Sequence, residues 1–390
     1  MVEGGRSMAK LNPEVLEWAV RRSGLSDERI TKMFPKYPQW LSGSWKPTVK
    51  QLRDFAHKTH VSVSDLFSET LPDYALQIAD FRTQDDLPAS APSPELFDTV
   101  DAMLARQEWM RGYFLHEGYP AIDFVGAYKE QLLSGPTAIS LARDMHALLH
   151  LDDDWARTCA NEAEALRTLK NAIETAGISV VINGVVGDNT SRALEVSEFR
   201  GFALADDRAP LIFVNGRDAK SAQLFTLIHE LTHLAFAQTG VSNAPEDEDG
   251  SLEMERFCNA VAAEFLVPAN VLLPWWRSHP SMSSYKRVDA VAHFSKASFV
   301  VVARKARDEG LIGEDEFFRL YEQHKNDASP VQRSSKGGGN YYLNERYKLG
   351  LVFSDAVIAA VHSDYLSYRD AYDLTGMSAS SFQKYLEEVA

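Results

Sequence analysis

Residues 222–237 read AQLFTLIHELTHLAFA, and Leu224, Phe225, Leu227, Ile228, Leu231, Leu234 and Phe236 make the stretch apolar on nearly every side. A helix of that kind belongs in a core. Imidazoles and carboxylates inside a core have to be paired or bound, because an unpaired polar group there is costly. Positions i and i+4 share a helix face one turn apart, so His229 and His233 can hold one ion between them. Glu230 follows the first of them directly, where its carboxylate reaches a metal-bound water. The pattern is H-E-x-x-H, the spacing of a two-histidine zinc helix with a general base.

Such a site needs a third ligand, and it is expected downstream on another helix. Residues 253–268, EMERFCNAVAAEFLVP, carry an apolar stripe of Phe257, Val261, Phe265 and Leu266, and Pro268 ends the helix. Glu255 and Asn259 stand four apart on one face of it. Glu255 is the candidate ligand, and Asn259 the candidate to hold the free ring nitrogen of one histidine. Glu253 and Glu264 are the rivals for the third place.

HELTHLAF followed by ERFCNAVAAEFLVP resembles the ImmA/IrrE family of metallopeptidases. The family's second motif runs roughly E-x-x-x-N-x-x-A-A-x-x-L-x-P and falls here on Glu255, Asn259, Ala262, Ala263, Leu266 and Pro268. The departures are Val261, where the family often has Phe, and Val267, where it often has Met. Neither touches the chemistry. The resemblance spans residues 11 to 390 and is strongest over 199–268. It implies cleavage of a regulatory protein such as a repressor, in a stress, phage or mobile-element circuit. Longer members are often paired with toxins, which sets up the alternative. In that reading the chain is an antitoxin or transcriptional regulator that binds a partner toxin and DNA, its zinc site structural or vestigial.

The chain has 390 residues, 45% of them hydrophobic and 24% charged, enough for two or three domains. Its net charge of −15 argues against a nucleic-acid surface over the whole chain. Two cysteines, Cys159 and Cys258, cannot build a disulfide framework, so a reducing, cytoplasmic setting is expected. There is no signal-like start and no apolar run of membrane length, and no membrane partner is expected.

Residues 1–7, MVEGGRS, read as a cloning scar before a second start at Met8. Residues 8–86 are expected to form a small helical domain and a linker. Its helices are marked by Pro13 and Gly24, by Ser26 as an N-cap, and by the stripe Val49, Leu52, Phe55 and Ala56. Five short helices in this order resemble the Xre-type helix-turn-helix. Residues 10–68 carry ten basic and six acidic side chains, a local +4, as DNA contact would need. Arg21, Arg22, Lys46 and Lys50 are the expected phosphate contacts. The segment from Tyr37 to Trp45, where a recognition helix belongs, holds Pro38, Gly43 and two tryptophans and is poor in base-reading side chains. Packing, or dimerisation into a homodimer, is therefore the alternative use of this domain. In the linker, Asp80 and Arg82 of LQIADFRT are expected to clip it onto the catalytic part.

Residues 87–176 read as a helical layer. Residues 177–280 hold the expected core: three β-segments, GISVVING, FRGFALAD and APLIFVNG, just before the zinc helix. An edge strand there could hold an extended peptide across the metal. Residues 281–390 read as a helical module, interrupted by the polar loop 325–340. The tail matches a pattern of the longer family members from Gly338 to Gly376. Tyr341 and Tyr342, beside the Gly run, are the candidate electrophiles for the oxyanion. The expected fold is α+β and mostly helical, a zincin-like metallopeptidase core with a small β-sheet flanked by helical modules.

Overall fold

The structure is a computed structural model. It describes residues 11–72, 76, 78–80, 83–84, 87–88, 92–129, 137–242, 253–327 and 341–389, with the backbone alone at 79–80, 83–84, 87–88, 341–344 and 389. The leading MVEGGRS, the side chains of Asp80, Arg82, Tyr341 and Tyr342, and most of the 325–340 loop lie outside the described residues.

The chain divides into two compact units, one of Met1–Gln77 with Ser90–Val100, the other of Ile78–Ala89 with Asp101–Ala390. The first contains α1 (Pro13–Arg22), α2 (Asp27–Met33), α3 (Tyr37–Leu41), α4 (Val49–Thr59) and a 3-10 turn at Asp65–Phe67. Its helices start where the capping residues place them. Asn12, Ser26 and Thr48 accept from the first-turn amides, and Thr48 with Gln51 closes a full capping box. Leu16, Ile30, Trp40, Phe55 and Leu66 close the core, with Phe55 stacked on Tyr37 and edge-on to Trp40.

The second unit begins with three two-residue strands, β1 (Ala79–Asp80), β2 (Thr83–Gln84) and β3 (Leu87–Pro88). Then come α5 (Pro94–Glu117, which starts in the first unit), α6 (Ala138–Leu149), α7 (Glu162–Thr175), β4 (Ser179–Asn183), the hairpin β5 (Val185–Val186) and β6 (Asn189–Ala193), β7 (Gly201–Leu204) and β8 (Leu211–Asn215). The centre follows: α8 (Lys220–Ala235), β9 (Gly240–Ser242) and α9 (Glu253–Leu266). The rest is helical, as α10 (Ala269–Ser278), α11 (Ser284–Ser295), α12 (Phe299–Asp308), α13 (Glu314–Asp327), α14 (Tyr341–Leu349), α15 (Leu351–His362), α16 (Tyr368–Thr375) and α17 (Ala379–Val389). The fold is α+β and mostly helical, with a small mixed sheet.

That sheet has the order β1-β9-β7-β8-β4. β4 runs parallel to β8, β7 antiparallel to β8 and to β9, and β1 parallel to β9. The three expected β-segments are its adjacent strands β7, β8 and β4, with β4 at one edge, while β9 and β1 extend it on the side of the site. The outer edge of β9 is therefore paired, through Ala79 and Asp80, with the chain's own backbone.

Helix α8 crosses this sheet with Leu224, Leu227, Ile228, Leu231 and Leu234 all fully buried. Each such side chain contributes roughly 1.5–3 kcal/mol when buried, which is what keeps the polar residues between them out of water. Its N-terminus is tied by Gln223, whose Nε2 donates to the Gly216 and Asp218 carbonyls at 3.1 and 2.7 Å. Its C-terminal carbonyls would be orphaned. The backbone amides of Gly126 and Tyr128 take Leu234 and Ala235 at 2.9 Å each. That loop, inside the expected helical layer, is not helical, because its amides are spent on capping α8. Among the described residues no single helix is long and apolar enough to cross a membrane.

Candidate metal centre

Helix α8 presents His229 and His233 on one face, and α9 lays Glu255 across it. The two Nε2 atoms stand 3.2 Å apart, and the Glu255 oxygens lie 3.1 Å from His229 Nε2 and 3.2 Å from His233 Nε2. All three side chains are buried, at no more than 5% exposure.

The far side of each ring fixes its tautomer. The Nδ1–H of His229 donates to Asn259 Oδ1 at 2.9 Å, and that of His233 to Gln238 Oε1 at 3.0 Å. An amide oxygen can only accept, so the proton is on Nδ1 and Nε2 keeps its lone pair. Three acceptors then converge on one point. Such a cluster requires a proton or a cation at its centre. Donors held about 2.0–2.2 Å from a tetrahedral ion lie about 3.2–3.6 Å from one another. The separations observed are close to that range, so this donor set fits zinc.

Cys258 comes near the same place, its donor atom within 4.8 Å of those of His229 and His233. Its Sγ lies 3.9 Å from His233 Nδ1, the nitrogen already bonded to Gln238, and burial pushes its thiol pKa up. Glu255 faces both Nε2 atoms and is the better third donor. Burial alone would raise the Glu255 carboxyl, but hydrogen bonds and charge from the two histidines hold it well below the usual carboxylate range. Burial also disfavours a charged His233, yet Cys258, Glu255 and Glu230 outweigh it and hold that imidazole well above its ordinary value.

Glu230 is fully buried, and neither oxygen has a well-formed hydrogen-bond partner, the Ser242 side chain being the weak donor beside it. Burial pushes its carboxyl up to about 7, against the pull of the two histidines. It shares a small recess with Arg200, Phe225, Thr226, His229 and Ser242. Gly201, opening β7, lets the sheet approach: a Cβ there would lie 2.6 Å from Thr226 Cγ2 and 3.1 Å from Glu230 Oε1.

The structure thus brings His229, Glu230, His233, Glu255 and Asn259 together. It takes the two rival carboxylates elsewhere. Glu253 is exposed at the start of α9, and Glu264 pairs with Lys305 at 2.5 Å and accepts from the Ala269 amide at 3.2 Å. Asn215 is a cap, donating to the Phe199 carbonyl and accepting from the Arg217 amide. Sequence reasoning missed Gln238 and Ser242. The hydroxyl of Ser242 lies 3.5 Å from His233 Nε2.

Of the expected phosphate contacts, Arg21, Lys46 and Lys50 are exposed. Arg22 is not available for that role. Its side chain is 7% exposed, donates to the His60 carbonyl at 2.7 Å, lies 3.8 Å from Asp98 and covers the Phe97 ring.

Residues 173–307 match a peptidase family model described as IrrE N-terminal-like domain. The match runs from the end of α7 through α12 and includes both histidines, Glu230 and Glu255. Residues 349–388 match a second model, described only as a domain of unknown function. No curated protein matches the chain. The first match supports a metallopeptidase-type function.

Proposed function

We propose that this chain is a zinc-dependent endopeptidase that cleaves another protein, a regulatory protein such as a repressor being the substrate class its resemblance implies. What carries the reading is Glu230: a wholly buried carboxylate with no well-formed hydrogen-bond partner, next in sequence to His229. A site that only held a metal for structure would have no use for it, and burying it bare is costly.

His229, His233 and Glu255 would hold the ion, with Asn259 and Gln238 fixing the two imidazole rings. A zinc ion bound there supplies Lewis acidity and lowers the pKa of a coordinated water. An oxygen of Glu230 takes the proton of the attacking water and later delivers it to the leaving amine. Phe225, Thr226 and the sheet behind Gly201 keep bulk water from Glu230. Both cysteines are free and buried, in keeping with a reducing compartment.

The test compares wild type with Glu230→Gln. Both are loaded with zinc, checked for metal content and unfolding temperature, then incubated with a proteome-derived peptide library and with the proteins encoded beside the gene. The variant should keep metal and fold and lose about 10²–10⁴-fold in cleavage rate. Equal cleavage by the two proteins, or none by either under every condition, would end the peptidase reading.

A further inference from the structure

Ser242 stands at the metal centre without a part in the reaction carried by the other residues. It closes β9, and the register of the sheet fixes its place. Ser242 pairs with Gly201 across the antiparallel β7–β9 ladder, and its carbonyl accepts from the Arg200 amide at 3.2 Å. Residues directly opposite in a ladder share a face of the sheet. Ser242 therefore turns its hydroxyl to the side on which Gly201 makes room for Glu230. It is 3% exposed and lines the recess that holds Glu230 and His229.

A serine hydroxyl has one proton to donate, and two acceptors lie beside this one. The first is His233 Nε2, 3.5 Å away, at the outer limit of a hydrogen bond. That nitrogen faces Glu255 and His229 Nε2, and its lone pair is the one a cation held by the three side chains would take. The second is the Glu230 carboxylate, for which Ser242 is the weak side-chain donor. The other walls of the recess offer less. Phe225 has no donor, Thr226 turns its methyl toward Gly201, and the Arg200 guanidinium pairs with Asp218 at 3.4 Å. The last torsion of a glutamate is broad, so a buried carboxylate needs a fixed partner to hold one orientation.

We propose that Ser242 is the positioning residue of the base: its hydroxyl donates to one oxygen of Glu230 and leaves the other turned to the attacking water. The inference rests on the peptidase reading. No bond to Ser242 forms or breaks. The water proton passes to Glu230 and on to the leaving amine, and the serine keeps its own.

The experiment is a double-mutant cycle on the full zinc-loaded chain: wild type, Ser242→Ala, Glu230→Gln and the double variant. The probe is acetohydroxamate, a small metal-binding acid whose proton a neighbouring carboxylate takes up, and its binding is read by calorimetry. Ser242→Ala should keep its zinc and its unfolding temperature and bind the probe about tenfold more weakly. Glu230→Gln should lose at least as much. The double variant should lose no more than Glu230→Gln alone, because the serine acts through the carboxylate. On any peptide that wild type cleaves, Ser242→Ala should lower kcat about tenfold and leave KM within about twofold. Equal losses from Ser242→Ala with and without the Glu230 carboxylate would overturn the proposal. So would undiminished probe binding by Ser242→Ala, no binding by wild type at millimolar probe, or loss of zinc from Ser242→Ala, which would make the serine a ligand. Coupling without cleavage by wild type would instead strike the peptidase reading and leave this hydrogen bond standing.

Discussion

Asn259 stands one helical turn after Glu255 on α9 and takes the Nδ1–H of His229 at 2.9 Å, so one helix supplies both the carboxylate that faces the two Nε2 atoms and the group that aims one of the rings. Gln238 does the same for His233 from just beyond the end of α8. Neither amide reaches the metal position, but each sets which nitrogen of its ring is free to bind. Removing such a partner typically costs 10–100-fold in metal affinity or activity. Asn259→Ala and Gln238→Ala should therefore fall about 10–100-fold in zinc affinity, read by competition with a chromophoric chelator. Unchanged affinity in both would mean that the rings are aimed by packing alone.

The two carboxylates of α9 that are buried should part company on substitution. Glu255→Gln removes the anion facing both Nε2 atoms and should release most of the zinc in elemental analysis, as should His229→Ala and His233→Ala. Glu264→Gln leaves the donor set intact and weakens the Lys305 pair and the bond to the Ala269 amide. It should keep about one zinc per chain and lose roughly 1–3 kcal/mol of stability. The opposite pattern would mean that the ligand has been assigned to the wrong turn of the helix.

These residues were readable because their signal is local. A spacing of four from His229 to His233, and of four from Glu255 to Asn259, sets a shared helix face whatever the helix packs on. Strands β4, β7 and β8 were readable for the same reason, each being long enough to show its apolar run. What escaped is what depends on the return of the chain. Gln238 reaches His233 because Ala237 adopts a left-handed φ of 53°, which no residue type there announces. β9 has three residues and β1 two, too short for any period to register, so Ser242 was not placed beside the site. Arg22 looked like a surface cation until Phe97 and Asp98, far along the chain, came to cover it. The loop at 121–129 caps α8 through backbone amides, which carry no side-chain pattern at all.

Gly201 faces the zinc helix with no room for a side chain. A Cβ would meet Thr226 Cγ2 at 2.6 Å, the Phe213 carbonyl at 2.9 Å and Glu230 Oε1 at 3.1 Å. One of those contacts is backbone, so β7 has to shift away from its neighbours. Gly201→Ala should cost about 1–3 kcal/mol and depress cleavage further than stability, since the group displaced is the base. Adding Thr226→Ser removes the shortest contact and should restore part of the stability but less of the activity. If Gly201→Ala unfolds and cleaves like wild type, the sheet does not press on Glu230.

Lys305 offers a pH test that leaves the metal centre alone. Its ammonium lies 2.5 Å from Glu264 and 2.6 Å from Glu309, at 11% exposure. Burial alone would lower its pKa, but the bonds and charges of the two carboxylates outweigh it and raise it above the ordinary 10.5. A lysine raised on folding binds its proton more tightly in the native state than in the unfolded one. Its contribution is then fully present below 10.5 and is lost as pH rises through the higher native value. Other lysines and the tyrosines also titrate in that range, so the measurement is a difference. Unfolding free energies of wild type and Lys305→Met should be compared in urea from neutral pH to about one unit beyond the ordinary lysine value. The methionine protein should be less stable at neutral pH, because Glu264 is left buried without its cation. The gap should narrow only on the alkaline side. A gap that stays constant across the range would show that this ammonium is no more basic in the fold than in the open chain.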